Sequence, residues 1–144
     1  MAQNLALAYQ TIDVSTANRV KLVLMLYEGA IRFLKEAKQR IGTKDIAGRG
    51  VYLAKALRIV GELHGTLNLK DGGKIAEELN RLYFFLTNNI TKANITGNAR
   101  LIDESVKVME TLREGWAQLV KAPEAKQVVR SEPGFPRQQV AIRL

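Results

Sequence analysis

Few side chains in this 144-residue sequence are placed for covalent or acid–base chemistry. His64 is the only histidine and there is no cysteine, so neither a nucleophilic triad nor a thiolate or multi-histidine metal site can be assembled. Gly72-Gly73-Lys74 superficially resembles a phosphate-binding loop, but Ile75 stands where that motif requires Ser or Thr. The sequence therefore predicts no enzyme, no catalytic residue, no metal site and no cofactor.

The acidic side chains and the overall charge indicate association rather than catalysis. Glu77-Glu78 and Asp103-Glu104 are adjacent pairs, which point in different directions on a helix and are typical of a solvated face. The net charge of +8 suits an anionic partner, although the basic residues are dispersed along the chain. A basic helical module that binds nucleic acid therefore stands as one alternative function, and a self-associating regulatory bundle as another.

Four helical segments are predicted from apolar residues that recur at helical spacing. They run from about Asn18 to Ile41, Asp45 to Asn68, Lys74 to Asn94 and Ala99 to Val120. The breaks between them are short and rich in glycine, and short loops between long helices make antiparallel neighbours. The sequence thus predicts an all-α fold, an antiparallel up-down-up-down four-helix bundle.

Both ends of the chain are expected to lie outside this bundle. Residues 1–17 read as a loose N-terminal arm, residues 18–120 as the four-helix bundle and residues 121–144 as an irregular, flexible tail. The tail is predicted because every proline, Pro123, Pro133 and Pro136, follows Lys121. The N-terminus lacks the features of a secretory signal and no stretch is long enough to span a membrane, so we expect a cytoplasmic protein without membrane insertion.

The apolar stripes of the helices predict which faces are buried. The first helix, capped by Asn18, is apolar on nearly all sides, which indicates that it is fully buried or covered by a partner lying in a groove. On the third helix the expected inner stripe is Ile75, Leu79, Leu82, Phe85, Leu86 and Ile90. On the fourth it is Leu101, Ser105, Val108, Leu112, Gly115 and Leu119, with Met109 and Trp116 beside it.

Several fragments in fixed order resemble one protein family. They are the stretch from Leu22 to Leu34, Tyr9 with Thr16-Ala17, Glu62-Leu63 with Leu67-Asn68, Leu82-Tyr83 with Lys92-Ala93-Asn94, and Leu112 to Trp116. Together they resemble the flagellin-specific export chaperones, the FliS family, over roughly residues 8–119. The chain departs from the family pattern at Asn18-Arg19, where Ser-Pro is common, and residues 121–144 have no counterpart.

This resemblance implies a cytosolic chaperone that binds the disordered C-terminal segment of flagellin in hydrophobic grooves. Binding would prevent premature polymerisation before type III flagellar secretion. Other flagellar export or regulatory proteins are further candidate partners, and nucleic acid is not expected. The partner-binding residues expected on the bundle are Leu24, Tyr27, Leu57, Leu63, Leu67, Leu82 and Tyr83. Tyr9 and Ile12 on the arm are expected to cover a groove until cargo displaces them; ordinary core packing is the alternative for every one of these residues.

Overall fold

The fold is a bundle of four long helices, seen in a computed structural model that describes residues 16–130. The helices are α1 (Thr16–Gly42), α2 (Ile46–Thr66), α3 (Gly73–Thr96) and α4 (Ala99–Leu119), followed by the short α5 (Ala125–Val128). Helix α1 packs against α2 and α4, and α3 packs against the same two helices, so α1 and α3 lie diagonally across the core. The predicted all-α four-helix bundle is confirmed.

The helix ends show why these segments begin and stop where they do. The Asp45 side chain caps α2 by accepting a hydrogen bond from the Gly48 amide (2.9 Å), and Asn98 caps α4 in the same way. Gly97, at φ +70°, ends α3 in the left-handed conformation that glycine adopts without strain. Helix α1 extends from Thr16, two residues before the expected start, so Asn18 lies inside the helix and is not its N-cap.

Helix α1 is buried on two sides, as its apolar sequence predicts. Leu22 and Phe33, on the opposite side from Tyr27 and Leu34, are no more than 5% exposed. The Tyr27 hydroxyl shares a hydrogen bond of 2.6 Å with the Tyr83 hydroxyl of α3, across the diagonal of the bundle. Burial raises the pKa of both phenols, so the pair is neutral at physiological pH.

The core-facing sides of α3 and α4 differ from the predicted stripes. Ile75 and Phe85 are 38% and 43% exposed, while Tyr83 and Asn89 are buried in their place. On α4 the buried residues are Ile102, Ser105, Met109 and Trp116. Relative to the predicted stripes, α3 and α4 are rotated about their axes, and buried polar side chains account for this. Asn89 donates hydrogen bonds to the Leu101 carbonyl and the Ser105 hydroxyl, and the Trp116 indole donates to the Val20 carbonyl. A stripe drawn from apolar residues alone misses these buried polar groups.

Residues 124–130, called here the terminal clasp, cross the end of the bundle where α1 begins and α2 ends. Ala125, Val128 and Val129 are each 1% exposed. Val129 pairs with Leu67 in an isolated antiparallel bridge, and the Arg130 carbonyl accepts a hydrogen bond from the Arg19 guanidinium. This part of the chain therefore differs from the flexible tail expected from its proline content, because its apolar residues are buried against the bundle.

Candidate functional site

An apolar groove runs between α3 and α4 on the outside of the bundle. Leu82 and Phe85 of α3 face Val108 and Leu112 of α4 across a space of about 610 Å³. The rim carries the polar residues Glu104, Lys107 and Thr111. The groove exists because Tyr83 and Leu86 point into the core, which turns Leu82 and Phe85 toward the α4 side of their helix.

Buried hydrogen bonds hold the two walls of this groove together. Four residues beyond Phe85, the Asn89 amide donates to the Leu101 carbonyl at 2.9 Å and to the Ser105 hydroxyl at 3.1 Å. Ser105 in turn donates to the Leu101 carbonyl at 2.9 Å. A buried polar network with its partners in place holds α3 and α4 at this spacing.

A second patch lies between α2 and α3, and we call it the α2/α3 surface: His64 of α2 with Asn80 and Phe84 of α3. Phe84 is 56% exposed, and its ring stands edge-on to the His64 ring with 4.5 Å between centroids. A ring nitrogen of His64 is hydrogen-bonded to the Asn80 side chain at 2.6 Å. The adjacent residues Phe84 and Phe85 thus lie on different sides of α3: Phe84 is at the α2/α3 surface and Phe85 is in the α3/α4 groove.

Glu62 is a buried carboxyl group on the side of α2 that faces α1. It follows Lys55 by two helical turns, and the Lys55 ammonium lies over the Phe33 ring of α1 at 5.6 Å. Glu62 is 2% exposed, and its Oε1 atom has no hydrogen-bond partner among the described residues. Burial raises the pKa of Glu62 from 4.5 to about 7.

The expected partner-binding residues do not converge on one site. Tyr27, Leu63, Leu67 and Tyr83 are at most 7% exposed and belong to the core cluster. Leu82 lines the α3/α4 groove, whereas Leu57 of α2 and Leu24 of α1 are half-buried. Tyr9 and Ile12 lie outside the described residues.

The groove residues missing from the sequence prediction are Phe85, Val108 and Leu112. The sequence assigned all three to buried stripes, although the Phe84-Phe85 pair offered a signal. Adjacent aromatic residues on a helix are about 100° apart, so they cannot share one narrow stripe. The assignment of partner-binding roles to individual residues stays a prediction.

Within residues 16–130, no group of three or more His, Asp or Glu side chains is arranged to hold a metal ion. None of the helices in that range is long and apolar enough to cross a membrane. Surface ion pairs join α1 to α4, Lys35 with Glu110 at 3.3 Å and Lys38 with Asp103 at 2.7 Å. These charges are solvent-exposed, so each pair contributes little to the stability of the bundle.

Comparison with known proteins identifies the family. The family model described as flagellar protein FliS matches residues 1–123. A flagellar secretion chaperone FliS of Vibrio cholerae is 34% identical over 132 residues, which cover 89% of this chain and 96% of that protein. The proteins of the same name from Campylobacter jejuni and Bacillus subtilis are 34% and 30% identical, each over 83% of this chain and over 94% and 89% of their own lengths. This four-helix bundle belongs to the FliS family, a family of flagellar secretion chaperones and not of enzymes.

Proposed function

We propose that this protein is a cytoplasmic export chaperone that binds the C-terminal segment of flagellin before type III flagellar secretion. The observation that carries the proposal is the apolar groove lined by Leu82, Phe85, Val108 and Leu112. The relatives' names support a flagellar partner, since each is called a flagellar secretion chaperone.

The groove suits one face of an amphipathic helix. Two parallel walls of apolar side chains accept anchors that recur at i, i+3 or i+4, and i+7 on a bound helix. Phe85 is 43% exposed in the free protein, so a cargo helix would bury much of its ring. At about 25 cal/mol per Å², burial of this aromatic ring would contribute on the order of 1–2 kcal/mol to binding.

Binding in this groove would order the cargo segment and cover its apolar stripe. The segment that is disordered in monomeric flagellin would become ordered on the chaperone, at a cost of several kcal/mol of chain entropy. Its apolar stripe would then be unavailable to other flagellin molecules. In the free state, Tyr9 and Ile12 of the arm would occupy part of the apolar surface, and cargo would displace them.

The adjacent residues Phe84 and Phe85 give a matched test. Calorimetric titration with a C-terminal flagellin peptide should show one-to-one binding with a negative heat-capacity change and weak salt dependence. Phe85→Ser should weaken this binding by about tenfold or more, because about 1.4 kcal/mol is lost. Phe84→Ser removes a somewhat more exposed ring from the other side of α3 and should leave the affinity within about twofold.

Two results would contradict the proposal. Absence of binding by the unmodified protein would leave the bundle without this cargo, and equal effects of the two substitutions would exclude the α3/α4 groove as the site. Titration with a duplex oligonucleotide separates the alternative function, since nucleic-acid binding falls steeply as salt rises.

A further inference from the structure

Gly115 is a glycine in the interior of α4 whose packing within the described chain does not require a glycine. The sequence predicted it on the inner stripe of α4, but it is exposed. A methyl group added at Gly115 would meet no heavy atom beyond its own stretch of α4 within 4 Å. Glycine destabilises a helix interior relative to alanine, so what Gly115 provides in return is open space beside the α4 backbone.

This open space adjoins the α3/α4 groove. Gly115 follows Val108 by seven residues and Thr111 by four, and residues at these spacings share one side of a helix. Val108 and Thr111 both line the groove. The α4 wall of the groove therefore continues for one turn past Leu112, and at that turn no side chain projects from it.

Hydrogen bonds between the two helices show which part of α3 lies opposite Gly115. Asn89 donates to the Ser105 hydroxyl, so these two residues are level with each other. In an antiparallel pair, each step backward along α3 matches a step forward along α4. Gly115, ten residues after Ser105, is therefore level with Leu79, ten residues before Asn89.

Ile75 supplies apolar surface at this end of the groove. It precedes the groove residue Leu82 by seven residues, or two turns, so both lie on the side of α3 that faces α4. Ile75 is 38% exposed, which leaves part of its side chain free for a ligand. From Glu104 to Gly115 the α4 wall rises by about 16 Å, or three turns of helix, and Ile75 extends the apolar surface beyond that.

We propose that the cargo helix fills the α3/α4 groove as far as Ile75 and that its backbone crosses α4 at Gly115. The distance between two packed helices depends on the side chains at their contact, and glycine permits the closest approach. The longer groove accepts a fourth apolar anchor at about i+11, beyond those at i, i+3 or i+4, and i+7. The inference rests on the proposed function and adds where the cargo helix lies and how closely it approaches.

Substitution of Gly115 separates a role in binding from a role in folding. Gly115→Leu fills the open space with a residue that favours the helix, so the midpoint of thermal unfolding should stay the same or rise by about 2–4 °C. In calorimetric titration with the C-terminal flagellin peptide, the same variant should bind at least about tenfold more weakly, because the added side chain occupies the place of the cargo backbone. Gly115→Ala should weaken binding by about threefold.

The matched control is Gly61→Leu. Gly61 is as open as Gly115 and gains as much helix propensity on substitution, but it belongs to α2, which forms no wall of this groove. Its affinity for the peptide should stay within about twofold of that of the unmodified protein.

A second pair of variants tests the α3 side of the crossing. Ile75→Ser should weaken binding by about fivefold through the loss of apolar contact. Ile95→Ser removes an isoleucine that is 78% exposed near the other end of α3, and it should leave the affinity within about twofold.

The outcomes distinguish this inference from the proposed function. If the unmodified protein binds the peptide but Gly115→Leu or Ile75→Ser binds equally well, the crossing is overturned and the proposed function stands. Equal losses in Gly115→Leu and Gly61→Leu would also overturn the crossing, as would a fall in the unfolding midpoint of Gly115→Leu, since the fold itself would then need the glycine. Absence of binding by the unmodified protein would overturn the proposed function and the crossing with it.

Discussion

Glu62 makes the stability of this protein depend on pH in a direction opposite to that of most carboxylates. Its pKa is raised from 4.5 to about 7 by burial, and its Oε1 atom has no hydrogen-bond partner in the described part of the chain. The folded state therefore holds the Glu62 proton more tightly than the unfolded state does. Between pH 4.5 and about 7 the unfolded chain loses this proton first, so the free energy of unfolding falls as pH rises.

The magnitude follows from the shift. About 2.5 pH units at 1.36 kcal/mol each give a penalty of about 3 kcal/mol, which is fully present above pH 7 and absent below pH 4.5. Glu62→Gln keeps the shape of the side chain but cannot ionise. The variant should be more stable than the unmodified protein by up to about 3 kcal/mol at pH 8, and should have no advantage at pH 4.

Urea denaturation followed by circular dichroism, repeated from pH 4 to pH 8, measures this difference directly. Glu114→Gln is the control, since Glu114 is an exposed carboxylate on α4 and its removal should leave the shape of the pH profile unchanged. The reasoning is refuted if the Glu62→Gln profile runs parallel to that of the unmodified protein, because Glu62 would then ionise equally in both states.

Three further sets of substitutions test the hydrogen bonds and close packing of the bundle by urea denaturation. Tyr27→Phe should lower the free energy of unfolding by about 1–3 kcal/mol because it leaves the buried Tyr83 hydroxyl unpaired, and the double variant with Tyr83→Phe should cost less than the sum of the single changes; additive effects would mean that the two hydroxyls do not interact. Trp116→Phe removes the donor to the Val20 carbonyl and should cost about 1–3 kcal/mol, and an unchanged midpoint would contradict that role. Gly72→Ala should cost about 1–3 kcal/mol, since its methyl group would come within 2.5 Å of two neighbouring heavy atoms, whereas Gly61→Ala, with open space, should be neutral or stabilising.

The limits of the helices could be predicted from the sequence because strong local signals mark them. Gly42 and Gly97 lie at the ends of α1 and α3, and the Lys70–Gly73 turn precedes α3. Each of the four long helices begins and ends within about two residues of the prediction. The capping role expected for Asn18 is the exception. Its side chain is suited to capping, but this preference does not prevent the helix from beginning two residues earlier, at Thr16.

The orientation of α3 could not be predicted in the same way, because it depends on partners distant in sequence. Tyr83 faces inward to meet Tyr27, 56 residues earlier, and Asn89 faces inward to meet Ser105. Each buried polar group is acceptable only because of the other helix, which a periodicity of apolar residues does not record. The same rotation of α3 turns Phe85 outward and creates the groove. The sequence prediction therefore missed the groove for the same reason that it missed the orientation of α3.

The contact between Arg19 and Arg130 brings the two limits of the described chain together at one pole of the bundle. A short linker between residues 130 and 16 would therefore close the backbone into a ring without straining any helix. Reopening that ring at the exposed Gly97–Asn98 turn would give a circular permutant in which α4 comes first and α3 last. Every pair of neighbouring helices would be retained, so the covalent order of the helices could be exchanged while their packing is kept.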